Sequence, residues 1–354
     1  MSGKKPLRFL ILLVVFILLV TGCGPATQAP TAVITKPTAV VTKPTEVKIA
    51  VITGNTIEQP YVKSLLQAFD RFNENNEYGL NISYDYSENL HGDDAERAMR
   101  AYAETGTYDI IWAHESYSDQ VKNMMDEYPE TMFVLAGSGN AGIGKNAYFI
   151  FAHIHECAYL MGVAAAMMTK TNVVGAVAAY PYEDVNDVLN GFRDGAKSVN
   201  EDIKVKIAFI ESWYDPPKAK ETTYALIAAG ADLVYAERLG PFEALSEKGL
   251  LGFGNYEDQY AMAPDVVITS ALLRWEPHVD YIISEWLGHK VDGKPWNGTI
   301  EPTWFGMADG GCDLAPFQGN TAPQAIQDAV NSVREDIMKG TLKIQLNIQP
   351  PESD

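Results

Sequence analysis

From residue 47 onward, short apolar runs alternate with stretches whose apolar residues recur at helical spacing, and this alternation constrains the fold more than any other feature. Strands are predicted at 47–53, 80–84, 108–114 and 131–137, with helices at 57–72, 93–102 and 117–127 between them. In the first helix Leu65, Leu66, Phe69 and Phe72 mark the buried stripe. A second series places strands at 173–179, 203–210, 231–236, 249–254 and 265–273. Its helices fall at 158–168, 183–199, 216–229, 242–248 and 277–287, and Gly162 with its neighbouring alanines suits close packing against a sheet. Strands separated by helices of this length imply right-handed parallel crossovers. The expected class is therefore α/β, with two lobes, each a Rossmann-like parallel sheet flanked by helices, and a ligand cleft between them; the competing arrangement is one large doubly wound domain. Residues 47–152 and 274–354 are assigned to lobe one, with a late crossover near 305–317, and 153–273 to lobe two.

A chain of 354 residues with 47% hydrophobic composition can fill two such cores. Lys and Arg total 27 against 46 Asp and Glu, a net charge of −19 that repels a phosphate backbone and argues against nucleic acid as a partner. The three cysteines are too few and too widely spaced for a disulfide scaffold or a metal knuckle.

The amino terminus reads separately from the body. Lys4, Lys5 and Arg8 precede an uncharged apolar run, 9–20, which as a helix would be roughly 18 Å long against a hydrocarbon core of about 30 Å. That length suits a secretory signal over 1–22 better than a membrane span. Thr21 and Gly22 are small enough for a peptidase cleft, and the Cys23 thiol that follows them can take a fatty-acyl anchor, palmitate among its acids; an uncleaved anchor and a cleaved but unlipidated signal are the alternatives. The segment 23–46 repeats TAVITKP as TAVVTKP, and proline at this density gives a tether that cannot pack a core. Cell-membrane attachment on the extracytoplasmic face is the expected location.

Catalytic motifs are missing where they would be informative. Gly137-Ser138-Gly139 is not a nucleophile elbow. The stretch 139–147, GNAGIGKNA, ends in Lys145-Asn146 and opens no apolar helix, so it is not a phosphate loop. His153 and His155 with Glu156 lack a distant third ligand for a metal and suit a polar surface at the lobe hinge. No enzyme activity, metal or cofactor is expected. Cys157 and Cys312 are read as free thiols, with a mutual disulfide as the alternative.

Aromatic residues make the stronger case. Trp213 and Tyr214 directly follow an apolar strand and directly precede Asp215-Pro216, the amino terminus of a helix. Tyr61, after Glu58, Gln59 and Pro60, holds the corresponding place in the first lobe. A flat ligand stacked on such rings gains about 0.5–1.5 kcal/mol beyond area burial, against the alternative that each ring simply caps its core. Asn255 offers a donor and an acceptor, Asp258 an acceptor, His114 and Glu115 follow a lobe-one strand, and Glu156 lies where the first crossover should fall.

Five segments, 156–177 (ECAYLMGVAAAMMTKTNVVGAV), 190–207 (NGFRDGAKSVNEDIKVKI), 212–221 (SWYDPPKAKE), 252–259 (GFGNYEDQ) and 304–310 (WFGMADG), together resemble the basic-membrane-protein family, lipoprotein substrate-binding components of ABC importers for nucleosides and related compounds. The resemblance implies a type I periplasmic-binding-protein fold and a monomer that hands its ligand to an ABC permease. It also implies that Tyr61 and Trp213 clamp a base, that Asp258 is the acidic contact, and that Glu58 replaces the usual shorter carboxylate before the first helix. Leu273 stands where the family's nucleoside binders carry a ribose-contacting lysine, so the implied ligand is a free purine base such as adenine, ahead of a nucleoside. A tethered sensing domain, or a binder of another planar or sugar-like solute, is the alternative function.

Overall fold

In the computed structural model, the described residues are 43–75, 78–319 and 321–354; the signal run, Cys23 and nearly all of the tether lie outside them. The first sheet contains β1 (Glu46–Thr53), β2 (Asn81–Ser87), β3 (Ile110–His114), β4 (Met132–Ala136) and β5 (Ala147–Ile150). They lie in the order β2-β1-β3-β4-β5, all parallel. Between them run α1 (Pro60–Asn75), α2 (Gly92–Glu104) and α3 (Ser118–Met124), the last continuing into a 3-10 turn. Strands β3, β4 and β5 are buried along their whole length, as expected when helices cover both faces of a parallel sheet. Helix α1 begins at Pro60, later than periodicity alone indicates, because proline is favoured in the first turn and disfavours helix before it.

The chain then crosses to α4 (His155–Met168), β6 (Val173–Ala178), α5 (Glu183–Val199), β7 (Lys204–Phe209), α6 (Pro216–Ala228), β8 (Leu233–Ala236), α7 (Pro241–Lys248), β9 (Leu251–Gly254) and β10 (Val267–Leu273). It returns through α8 (Glu276–Asp292) and ends with β11 (Cys312–Leu314) and α9 (Gln324–Met338). The second sheet has the order β11-β10-β9-β8-β6-β7 among the described residues, parallel except for β11. The fold is α/β, with two parallel-dominated sheets.

Three elements escaped the sequence reading: β5, β11 and the helix α9. The four-residue β5 is hidden in a loop-like, glycine-containing stretch, and β11 has only three residues. The second omission carries a correction, because residues 274–354 do not all belong with the first sheet. Helix α8 does, since the Trp275 indole N–H donates to Ser64 of α1 at 3.0 Å and Arg71 pairs with Glu276. Strand β11, however, pairs antiparallel with β10, and the last residues are held by the second lobe. Asn186 and Asn190 on α5 donate to the carbonyls of Asn347, Ile348 and Gln349 at 2.8–2.9 Å, and Asp354 N–H reaches Val205 O at 3.1 Å. Periodicity reads elements but cannot say which sheet edge a short strand joins.

Gly162 packs differently from expectation as well. It faces α5 instead of a sheet: a Cβ there would stand 2.0 Å from the Phe192 carbonyl, and one on Gly195 2.0 Å from that of Tyr159. These glycines let α4 and α5 cross backbone to backbone. Cys157, at the start of α4, and Cys312, on β11, are both free and buried, and burial, with Cys312 beside it, pushes the Cys157 thiol up. Three crossings join the lobes near one another: Phe151 N–H donates to Thr303 O at 2.9 Å, and Arg274 N–H to Gly311 O at 3.0 Å.

Candidate functional site

Both sheets present their carboxyl ends to one cavity of about 330 Å³. In open α/β sheets that is where loops and helix amino termini converge. From the first lobe come Asn55 after β1, Glu115 and Ser116 after β3, and Gly137, Ser138 and Gly139 after β4, together with Gln59, Tyr61 and His91. The second lobe supplies Tyr182 and Asp184 after β6, Trp213 after β7, Arg238 after β8 and Tyr256 after β9.

The lobe-one floor is built around Glu115. Its carboxylate accepts from Thr53 Oγ1 at 3.1 Å, from Gly54 N–H at 3.2 Å and from the Asn55 amide. Burial pushes the Glu115 carboxyl upward, partly offset by those donors and by nearby His91. Its backbone has φ 152°, a region unfavourable for a side-chain-bearing residue. Asn140 holds it there, donating to Glu115 O at 2.6 Å while its own oxygen caps the Tyr117 and Ser118 N–H groups at 2.9 and 3.0 Å.

Tyr61 lies face to face with His114, ring centroids 4.5 Å apart, and meets Tyr256 of the other lobe edge-on at 5.5 Å. Its hydroxyl is buried with no hydrogen-bond partner among the described residues, and it lies beside Gly137 of the cavity wall. Buried polar atoms are rarely left so, and a ligand could supply the missing partner. Trp213 stacks on Tyr182 at 5.7 Å, and the Arg238 guanidinium lies over its ring at 5.1 Å. The second lobe therefore presents Trp213 paired with Tyr182, where the sequence reading offered Trp213 with Tyr214.

The lobes also touch directly. Ser138 donates to the Asp184 carboxylate and accepts the Asp184 backbone N–H at 3.1 Å, joining the β4 loop to the first turn of α5. Lys63 and Glu257 pair across the lobes at 2.7 Å. Ser138→Ala should remove the serine half of this latch and weaken ligand binding by about 1 kcal/mol with little change in the unliganded melting temperature, as measured by titration and thermal unfolding.

Of the residues singled out from sequence, Tyr61, Glu115 and Trp213 line this cavity. His114 is behind Tyr61, fully buried, and its ring backs the tyrosine without reaching the cavity. Asn255 is also behind the wall, accepting from Tyr235 at 2.7 Å. Tyr214 is exposed at the rim of a small adjoining recess. Glu58 and Asp258 face outward, Asp258 receiving the Gln318 amide at 3.2 Å, because the residues next to them in sequence, Gln59 and Gln259, turn inward in their place. Glu156 accepts Met307 N–H at 2.6 Å and so ties a crossover segment to α4, away from the cavity. Leu273 is buried on β10 and puts no cation into the site. His153 pairs with Asp187 on α5 and stacks on Phe151 at 4.2 Å, with His155 beside it, in the crossing region.

Asn55, Gln59, His91, Ser138, Tyr182, Asp184, Arg238 and Tyr256 were missed. Most share one signal visible in the sequence: they lie within a few residues of the carboxyl end of a strand. Applied to every strand, that rule would have found Arg238 in the run that follows β8.

A family model described as ABC transporter substrate-binding protein PnrA-like matches residues 46–348. The chain belongs to the Bmp family. Among curated Bmp-like relatives, a purine-binding protein of Brucella abortus is 28% identical over 267 residues, covering 75% of this chain and 73% of its own. The nucleoside-binding protein BmpA of Lactococcus lactis is 24% identical over 322 residues, covering 84% and 89%. Among solved structures, a solute-binding protein from Aeropyrum pernix superposes with TM-score 0.67 at 17% identity, covering 85% of this chain and 94% of its own. One from Conexibacter woesei gives 0.66 at 20%, covering 85% and 99%. These last two likenesses concern the fold. Membership makes the chain an ABC transporter substrate-binding protein, a class defined by binding and release.

Proposed function

We propose that this protein captures a purine base between its lobes outside the cytoplasm, held to the membrane by a lipid on Cys23, and delivers it as a monomer to an ABC permease. The observation that carries the reading is a cavity of about 330 Å³, near the lower end of small-ligand sites, walled by Tyr61, Tyr182, Trp213 and Tyr256, with Glu115 and Asp184 as acceptors. Such walls favour a flat, nitrogen-rich solute whose edge carries N–H groups. The Brucella relative's name, purine-binding, points the same way. With Leu273 buried and apolar where nucleoside binders carry a ribose-contacting lysine, the hydroxyls of a ribose would lose hydration without that partner, so the free base, adenine among the candidates, should bind ahead of its nucleoside. No covalent step and no cofactor enter: a ligand touching both lobes favours their closed arrangement, and the closed surface is what a permease would read.

No helix among the described residues is long and apolar enough to cross a membrane. The anchor in this reading is the lipid on Cys23. Cys23→Ser should abolish incorporation of a labelled fatty acid and release the protein from the membrane fraction; equal labelling of the variant would refute the anchor. Cells lacking the protein should lose high-affinity uptake of radiolabelled purine base, and unchanged uptake would refute the transport role.

A further inference from the structure

The purine reading does not say which purine, and one cation in the cavity bears on the choice. The Arg238 side chain is 10% exposed and that of Glu237 fully buried. Arg238 Nε donates to Glu237 Oε2 at 2.8 Å and Nη2 to Oε1 at 2.5 Å. Glu237 also accepts Ala179 N–H at 3.1 Å, so it is fixed from the rear. A guanidinium carries five N–H donors in a planar fork, and this pairing uses one edge of it. Nη1 makes no hydrogen bond among the described residues, while the guanidinium carbon lies 5.1 and 5.6 Å from the ring centroids of Trp213 and Tyr256 in the cavity wall. The free end of the fork is thus an unspent donor pair among aromatic rings.

An anionic ligand does not suit it. Glu237 already balances the charge, and Glu115 and Asp184 line the same cavity and would oppose a second anion. The matching ligand is neutral and flat, with two adjacent acceptors for the fork and N–H groups for the carboxylates. Among purines, the O6 and N7 edge of a 6-oxopurine presents two adjacent acceptors, the edge an arginine fork reads in guanine. Adenine presents an N6 amino donor beside N7, which would set donor against donor. The N1 position follows the same rule, since a 6-oxopurine carries N–H there for Asp184 or Glu115, whereas adenine carries an acceptor facing acceptors.

Resting on the purine reading of the cavity, we propose that Arg238 selects 6-oxopurines of the hypoxanthine and guanine type over adenine. Calorimetric titration of the full chain with hypoxanthine and with adenine tests it. Hypoxanthine should bind at least about tenfold more tightly. Arg238→Lys keeps a cation beside Glu237 but has no fork, and should narrow the ratio to within about threefold while unliganded thermal unfolding stays near wild type. Adenine binding as tightly as hypoxanthine, or more tightly, overturns the selection and leaves the purine site standing. A well-folded Arg238→Lys variant with an undiminished ratio overturns the assignment to Arg238. If the variant does not fold, the wild-type ratio alone decides. Binding of neither base overturns the reading of the cavity and this inference with it.

Discussion

Trp213→Ala is expected to weaken purine binding by about 2 kcal/mol or more, about thirtyfold, the scale of a binding hot spot. The indole stacks on Tyr182, is tilted against Tyr180 at 5.3 Å and lies beneath Arg238 at 5.1 Å. Its loss would free Tyr182, itself half exposed, to turn away, and would remove the surface that fixes the guanidinium. Tyr61→Ala should cost less, because indole presents the larger surface and His114 remains behind the tyrosine's place. Titration of both variants, with unfolding measured alongside, checks the order; unchanged affinity in folded Trp213→Ala would move the ligand elsewhere in the cavity and return Trp213 to a packing role.

The second large effect concerns acid. His114, His153, His155 and His278 are buried, and burial pushes His114 down to about 3 and the other three to about 4. An unfolded histidine titrates near 6.5, so between that pH and the folded value the unfolded chain binds more protons. The stability these residues contribute is therefore complete above about pH 6.5 and is lost as pH falls through the window. Buried carboxyls raised by desolvation, Glu115, Asp187 and Glu237 among them, act with the opposite sign, since they take up a proton more readily in the folded state. A single-residue variant separates the two. His114 has no hydrogen bond of ordinary geometry to either ring nitrogen, and stacks on Tyr61. His114→Phe keeps a ring in that place and removes the titration, so the stability lost between pH 7 and pH 5 should shrink by about 2 kcal/mol relative to wild type. Denaturant unfolding at both pH values measures it, and parallel losses in the two proteins would contradict the assigned burial effect.

How far the sequence could be read follows from the physics of each element. Helices such as α5 and strands such as β1 declare themselves, because their apolar periodicity is sustained over several turns or a whole strand. The β5 and β11 strands do not, since three or four residues carry too little pattern, and β11's place on the second sheet is settled by long-range pairing with β10. The site divides the same way. Trp213 and Tyr61 stand out as aromatic residues beside turn signals, and Glu115 directly follows a strand. Glu58 and Asp258 stand out for charge, but on loops where the neighbouring glutamines, Gln59 and Gln259, turn inward and the carboxylates face solvent. His114 and Asn255 have the right chemistry at the right strand ends but lie one side chain too deep. Asp184 and Arg238 are legible only when every strand end is scanned, and the pairing of Arg238 with its neighbour Glu237 is a matter of geometry that spacing cannot show.

Capture of a free purine base is the central claim, and one calorimetric titration tests it most directly: the full chain with a free base and, separately, with the corresponding nucleoside, hypoxanthine with inosine and adenine with adenosine. The account predicts saturable one-site binding in which the base is tighter than its nucleoside by about tenfold, or about 1.4 kcal/mol. A nucleoside preferred by the same factor, or no binding of either base, would contradict it.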